Sequence, residues 1–262
     1  MAGAGDWAGR ELGTRTVGWS ERDVLLYALA VGARADQLDL VFERDLRVLP
    51  TFGLTLAQWA PDLLGSSGAF EVGRAVHGSQ SLEVHEQLPT AGELELTARV
   101  ARVWDKGAAA VFEVEVACAA FTATWGIFAP GAGGFGGDRG PGRVADPDVE
   151  ATARTSVRTA ENQALLYRLL GDRHHIHVDP VAAAAIGQPR PILHGLATLA
   201  TSALAVAESA GAHPADLSRL EGRFASVVFP GDELELAIWD DGRFTSTGPQ
   251  GVAICAGRAH FG

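Results

Sequence analysis

Ionisable groups crowd into one short stretch of this chain, Tyr167-Arg168-Leu169-Leu170-Gly171-Asp172-Arg173-His174-His175-Ile176-His177-Val178-Asp179-Pro180. Gly171 suits the left-handed stop of a helix, and Asp179-Pro180 suits the cap and first position of the next one. Asp172 and His177 therefore share one loop pinned at both ends. Such a loop can aim a carboxylate and an imidazole at the same small volume, as general acid-base work on a water molecule requires. A second feature follows at Pro191-Ile192-Leu193-His194-Gly195-Leu196, immediately before a long apolar run. A helix start offers unpaired amides and a positive dipole end, and Gly195 has no side chain to keep a carbonyl away. It reads as an oxyanion hole. A carboxylate, an imidazole and a carbonyl-polarising amide are the equipment for adding water to a carbon beta to a thioester carbonyl, or removing it.

The other histidines read differently. His194 is expected to be structural, since the chemistry needs only the amide of Gly195. His174 and His175 read as solvent-facing or loop-packing. A zinc site from His174, His175 and His177 is not expected, because adjacent loop residues seldom converge on one point. No metal and no cofactor is expected.

The elements that position these groups come from a chain that repeats itself. Leu25-Leu26-Tyr27 recurs as Leu165-Leu166-Tyr167, and Glu93-Leu94-Glu95-Leu96 as Glu233-Leu234-Glu235-Leu236, both 140 residues on. Phe52-Gly53-Leu54 falls near the counterpart of His194-Gly195-Leu196. Shared order and spacing point to a duplicated domain. Each half opens on a capped helix, Ser20 with Asp23 in one and Thr159 with Asn162 in the other. Each continues with an apolar helix, Phe52 to Leu64 or Leu196 to Glu208. Strands follow at Leu94 to Trp104, Ala109 to Ala129, Leu234 to Trp239 and Val252 to Phe261. The implied class is α+β, a helix wrapped by an antiparallel sheet, twice. The expected division is 1–129, a linker over 130–147 marked by the glycine-dense Pro130 to Gly142, and 148–262. Only the second half carries the acid and the base.

Composition narrows the partners. The 262 residues are 47% hydrophobic and 20% charged, which suits a globular core and excludes general disorder. A formal charge of -11 repels a phosphate backbone, so nucleic acid is excluded as a partner. An anionic ligand must then be held by a few placed cations and by backbone amides. Two cysteines, Cys118 and Cys255, cannot make a disulfide framework and read as buried, inert thiols of a reducing compartment. No secretory signal, bilayer-spanning run or Ser-Lys-Leu ending is expected to operate, which implies a cytoplasmic protein with no membrane partner.

Tyr167 to Pro180 together with Arg190-Pro191-Ile192-Leu193-His194-Gly195-Leu196 resembles the hydratase 2 motif of the MaoC-like family, which includes (R)-specific enoyl-CoA hydratases and actinobacterial 3-hydroxyacyl-thioester dehydratases. His77-Gly78-Ser79-Gln80, Asp105-Lys106-Gly107, Gly133-Gly134-Phe135-Gly136-Gly137 and Arg223-Phe224 resemble family landmarks in order, so the likeness spans nearly the whole chain. It implies a double hotdog fold. It also implies reversible hydration of a trans-2-enoyl thioester, carried by coenzyme A or an acyl carrier protein, to the (R)-3-hydroxyacyl thioester. Asp172 and His177 would be the catalytic pair, with Gly195 polarising the thioester oxygen. His77, Gly78, Lys106, Arg173, His174, His175, Ile176 and Phe224 would contact substrate, Lys106 as a phosphate partner. His174-His175 stands where the family usually has Asn-Pro. One double hotdog could be complete alone, or two could pair edge to edge as a homodimer. The competing readings are a hotdog thioesterase, which usually carries its acid on the central helix where Leu196 to Ala207 offers none, and a non-catalytic acyl-thioester binder.

Overall fold

The structure is a computed structural model and describes residues 3–142 and 149–262. Its strands are β1 (Glu11–Trp19), β2 (Val76–Val84), β3 (Gly92–Asp105), β4 (Ala109–Ala117) and β5 (Phe121–Pro130) in the first half. The second half contributes β6 (Ala153–Arg158), β7 (Leu217–Phe224), β8 (Glu233–Ile238), β9 (Arg243–Gly248) and β10 (Gly251–Phe261). All join one 10-stranded sheet in the order β1-β3-β4-β5-β2-β7-β10-β9-β8-β6. That order is the same from either end once the halves are matched strand for strand. The repeat reaches the register: Val17 pairs with Leu94 in β1·β3, and Val157 with Leu234, each 140 residues later, in β6·β8. Within the sheet the two halves join where β2 runs antiparallel to β7, and their helices meet as well, Tyr27 of α1 packing on Tyr167 of α5.

The helices are α1 (Glu21–Ala30), α2 (Leu38–Val41), α3 (Gly53–Ala57), α4 (Trp59–Ser66), α5 (Gln163–Tyr167), α6 (Pro180–Ala185) and α7 (Gly195–Ser209). The sheet curls around α7 in the second half and around α3 and α4 in the first. Leu96, Ala98 and Val100 of β3, Leu234 and Leu236 of β8, and Leu199 of α7 are all buried in one core. Alternate residues of a strand face opposite sides, so the helix-free face of the sheet carries the polar set. The architecture is a helix wrapped by an antiparallel sheet, twice, as the repeat implied, and it is the double hotdog that the family resemblance implied. Both central helices open on a glycine for the same reason: a Cβ on Gly53 would strike the Phe121 ring, and one on Gly195 would lie 3.1 Å from the Phe224 ring.

Several local expectations are corrected. The first central helix is broken at Gln58, and Pro61 sits in the first turn of α4, where a missing N–H leaves no bond unmade. Ala109 to Ala129 is two strands, folded at Cys118-Ala119-Ala120, with the Cys118 amide donating to the Phe121 carbonyl at 3.0 Å. Ser20 and Asp23 form the expected capping box, but Thr159 and Asn162 do not. The Thr159 hydroxyl turns away to the Asp232 carbonyl at 2.9 Å, and the Gln163 side chain accepts the Ala160 amide instead. Both cysteines are unpaired and half-buried rather than fully buried. Among the described residues no helix is long and apolar enough to cross a membrane.

Beyond Pro130, the last residue of β5, the glycine-dense segment to Gly142 has no helix or strand but is tied down. The Asp105 carboxylate accepts the amides of Gly107, Gly134 and Gly136 at 2.8, 2.9 and 2.8 Å. These amides, Gly134 first, hold its carboxyl down at about 2. The Lys106 ammonium donates to the carbonyls of Arg139 and Pro141. Residues 143–147 of the expected linker, and residue 148, lie outside the described residues.

Candidate active site

The loop between α5 and α6 is built much as its sequence suggested, with one change. Gly171 follows a 3-10 turn, Arg168–Leu170, at φ 157° and ψ −71°, which is not the left-handed helical stop expected of it. A Cβ there would make only ordinary contact with the Thr55 carbonyl of the first half, at 3.4 Å, so it is the backbone angle that calls for glycine. At the far end Asp179 caps α6, its carboxylate accepting the Val181 amide at 2.8 Å, with Pro180 at the first helical position. Between these ends His175–His177 form a 3-10 turn. His175 takes the first position of that turn, where a proline would leave no hydrogen bond unmade.

This turn brings Asp172 and His177 together. Nε2 of His177 lies 3.8 Å from Oδ2 of Asp172. Nδ1 of His177 donates to the Ile192 carbonyl at 2.8 Å, which leaves Nε2 as the lone-pair nitrogen facing the carboxylate. The other carboxylate oxygen, Oδ1, accepts the His174 amide at 3.0 Å. His177 is buried, and burial pushes its pKa below the ordinary 6.5, partly opposed by the negative charge of Asp172. It is neutral at pH 7.

His194 is the residue that local sequence undersold. Its ring stacks on His177 with centroids 3.6 Å apart and planes 22° from parallel. Nε2 bonds the Asp172 carbonyl at 3.1 Å, and the ring of Tyr167 packs on it at 4.8 Å. Burial and the neighbouring His177 hold His194 neutral. Asp172, His177 and His194 each present a ligand-type atom, all within 4.8 Å of one another. This is a different trio from the three loop histidines weighed as a zinc site.

Gly195 opens α7 directly behind His194, and as the first helical residue its amide has no acceptor within the helix. Phe224 at the end of β7 lies against it, with its ring edge 4.7 Å from His77. His77 bonds the Ser79 carbonyl at 3.0 Å. Desolvation pushes its pKa down to about 4, against the field of Asp172. Gly78 opens a bulge in β2 between His77 and Ser79. The structure thus gathers Asp172, His177, Gly195, His77 and Phe224 around one spot at the β2·β7 margin. The backbone of Ile176 is held by the Ile192 amide at 3.1 Å, whereas Arg173, His174 and His175 are exposed on the outer side of the loop. Lys106 stands apart at the β3–β4 hairpin, its ammonium engaged by the glycine-rich segment.

Asp62 of α4 was missed altogether. Its carboxyl is pushed up by burial and by the charge of Asp172, against a 3.1 Å hydrogen bond from Gln58. The first half therefore supplies a second carboxylate beside the loop. A lone Asp in an apolar helix, far away in sequence, carried no signal of this.

Two family models match in tandem. The MFE-2 hydratase 2 N-terminal domain covers residues 18–126, and the MaoC like domain covers 143–252. The chain is 37% identical over 249 residues to the enoyl-CoA hydratase ChsH3 of Mycobacterium tuberculosis, spanning 86% of this chain and 85% of that protein. It is 38% identical over 239 residues to 3-hydroxyacyl-thioester dehydratase Y of the same organism, spanning 84% and 82%. Among solved structures a MaoC-like dehydratase from Phytophthora capsici superposes with a TM-score of 0.87 at 24% identity, over 100% of this chain and 98% of that one. With two hotdog halves, the hydratase 2 motif in the second and full-length likeness to these proteins, the chain belongs to the MaoC-like hydratase 2 family.

Proposed function

We propose that the protein catalyses the reversible addition of water to a trans-2-enoyl thioester, giving the (R)-3-hydroxyacyl thioester. The observation that carries this is the gap between Nε2 of His177 and Oδ2 of Asp172. At 3.8 Å it is too wide for a direct hydrogen bond and suits one oxygen atom touching both. Nε2 of His177 takes a proton from water as the water oxygen bonds the beta carbon, and that same proton, passed on directly or by way of the Asp172 carboxylate across the gap, is delivered to the alpha carbon, which returns both groups to their starting forms. The amide of Gly195 polarises the thioester carbonyl and steadies its enolate-like oxygen. His77, Gly78 and Phe224 line the approach, and the exposed Arg173, His174 and His175 with Ile176 border its mouth. The first half, 1–129, shapes the acyl tunnel, and 148–262 carries the chemistry. Both relatives named above are called hydratase or dehydratase, which supports this reading. Unpaired cysteines suit a reducing, cytoplasmic setting. The strands β1 and β6 end the sheet, and two copies would pair there if the protein is a homodimer, which light scattering tests.

Purified protein should remove the conjugated enoyl absorbance of crotonyl-CoA without releasing free thiol. Thiol release instead would favour a thioesterase, for which Asp62 on the first central helix is the specific point in favour. Binding without turnover across many chain lengths would favour a non-catalytic binder.

A further inference from the structure

The first half meets the catalytic loop with a polar stripe. A Cβ on Gly171 would touch the Thr55 carbonyl and Cβ of Gln58, so the start of the loop rests on the junction of α3 and α4. Thr55, Gln58 and Asp62 stand three and four residues apart, the spacing of one helical face. Nε2 of Gln58 donates to Oδ1 of Asp62 at 3.1 Å, which steadies the carboxylate on that face. The charged groups whose field reaches it are Asp172 and His174 of the loop. Arg15 of β1, by contrast, is stacked over the Trp59 ring. Asp62 is thus open to solvent on one side and crowded by the catalytic loop on the other.

The second half has no such group. Matching Gly53 to Gly195, the glycines that open the two central helices, sets Asp62 opposite Leu204, which packs against the core. A carboxylate in the first turn of α4 does suit the positive end of a helix. That effect favours the charged form, yet burial and Asp172 together push the Asp62 carboxyl up. Helix stabilisation alone therefore does not account for an acid set beside another acid.

The reacting groups leave one direction for the acyl chain. The thioester carbonyl belongs at the Gly195 amide, and Phe224 with the His77 ring at 4.7 Å flanks the side from which the thioester arrives. Carbons beyond the beta position then depart past Asp172, toward Gln58 and Asp62. A crotonyl group ends one methyl beyond the beta carbon and stops short of them. A long alkyl chain must lie against the carboxylate and strip its water, which is unfavourable for a charge left without a cation.

We propose that Asp62, steadied by Gln58, is a specificity-determining residue of the acyl site, selecting short acyl groups against long apolar ones. The inference rests on the hydratase reading above and names what the first half contributes to it.

The test is the ratio of kcat/KM for trans-2-decenoyl-CoA to that for crotonyl-CoA. In the wild type at pH 7.5 crotonyl-CoA should lead by about tenfold or more, the scale on which a pocket discriminates between acyl groups. Asp62→Leu should raise the ratio about tenfold, Asp62→Asn should raise it by less, and Asp62→Glu should keep it low. Acid should act on the wild type as the substitution does, because a proton on Asp62 removes its charge, so the ratio should climb between pH 7.5 and pH 5. Titration of Asp172, His174 and His177 acts at the reacting carbons of both substrates and cancels in the ratio. In Asp62→Asn the ratio should therefore be independent of pH, a signature that a purely structural role would not give. A ratio unchanged in both Asp62→Leu and Asp62→Asn, a wild type that prefers the decenoyl thioester, or a pH dependence that survives in Asp62→Asn overturns the assignment. Thiol release that Asp62→Asn abolishes also overturns it, and makes Asp62 the carboxylate of a thioesterase. No turnover of either enoyl thioester by the wild type would instead overturn the hydratase reading itself.

Discussion

His177 and Asp172 face each other across 3.8 Å, and each is braced from behind by backbone rather than by the other. The imidazole rests on the Ile192 carbonyl at 2.8 Å and the carboxylate on the His174 amide at 3.0 Å. Both functional atoms thus point into one gap whichever of them holds the proton. Local backbone geometry, not a salt bridge, sets the site.

The stack behind this pair should matter to turnover more than to binding. His194→Phe keeps a ring against His177 and removes the bond from Nε2 to the Asp172 carbonyl. Loss of one such bond costs about 1 kcal/mol, so kcat should fall roughly five- to tenfold with KM within twofold. Steady-state kinetics on crotonyl-CoA checks this, and an unchanged kcat would remove His194 from the account.

Acid should weaken the fold before it unfolds the rest of the chain. Burial holds His77, His177 and His194 below the ordinary 6.5. The unfolded chain then binds more protons than the folded one below pH 6.5, so their contribution is full above that pH and falls as pH drops toward about 4. Urea unfolding should give a stability at least about 1 kcal/mol lower at pH 5 than at pH 7.5. Because Nε2 of His177 must be unprotonated, activity should also persist below pH 6.5 before its acid limb begins. An acid limb above pH 6.5 would be inconsistent with a buried neutral imidazole.

Proline should be welcome at position 175. His174 is extended at φ −59° and ψ 133°, the conformation favoured before proline, and His175 opens a 3-10 turn. His175→Pro should stabilise the protein by about 0.4–1 kcal/mol through the unfolded chain, and leave kcat within threefold. Chemical denaturation reads this directly. Destabilisation would mean that the turn depends on the His175 amide.

How far the sequence could be read depended on whether a signal was local. The 140-residue repeat was legible because Tyr27 and Tyr167 are core residues that pack on each other, rings 6.1 Å apart, and the paired Glu-Leu-Glu-Leu runs alternate cleanly in β3 and β8. Strands such as Val76–Val84 and Leu217–Phe224 were not, because their outward positions are Ser, Glu and Arg and their apolar alternation is thin. The fold at Cys118 has no Gly, Pro, Asn or Asp to announce it. Asp172 and His177 could be paired because one short turn joins them. The approach of Asp62 to Asp172, and of the Tyr167 ring to His194, is tertiary, and no spacing encodes it.

The central claim is that Asp172 and His177 act together on water. The measurement is kcat for crotonyl-CoA hydration in Asp172→Asn and in His177→Ala, with folding checked by circular dichroism. The account predicts a loss of about 10² to 10⁴ in each, with native secondary structure retained. Near-wild-type turnover in either variant would contradict it.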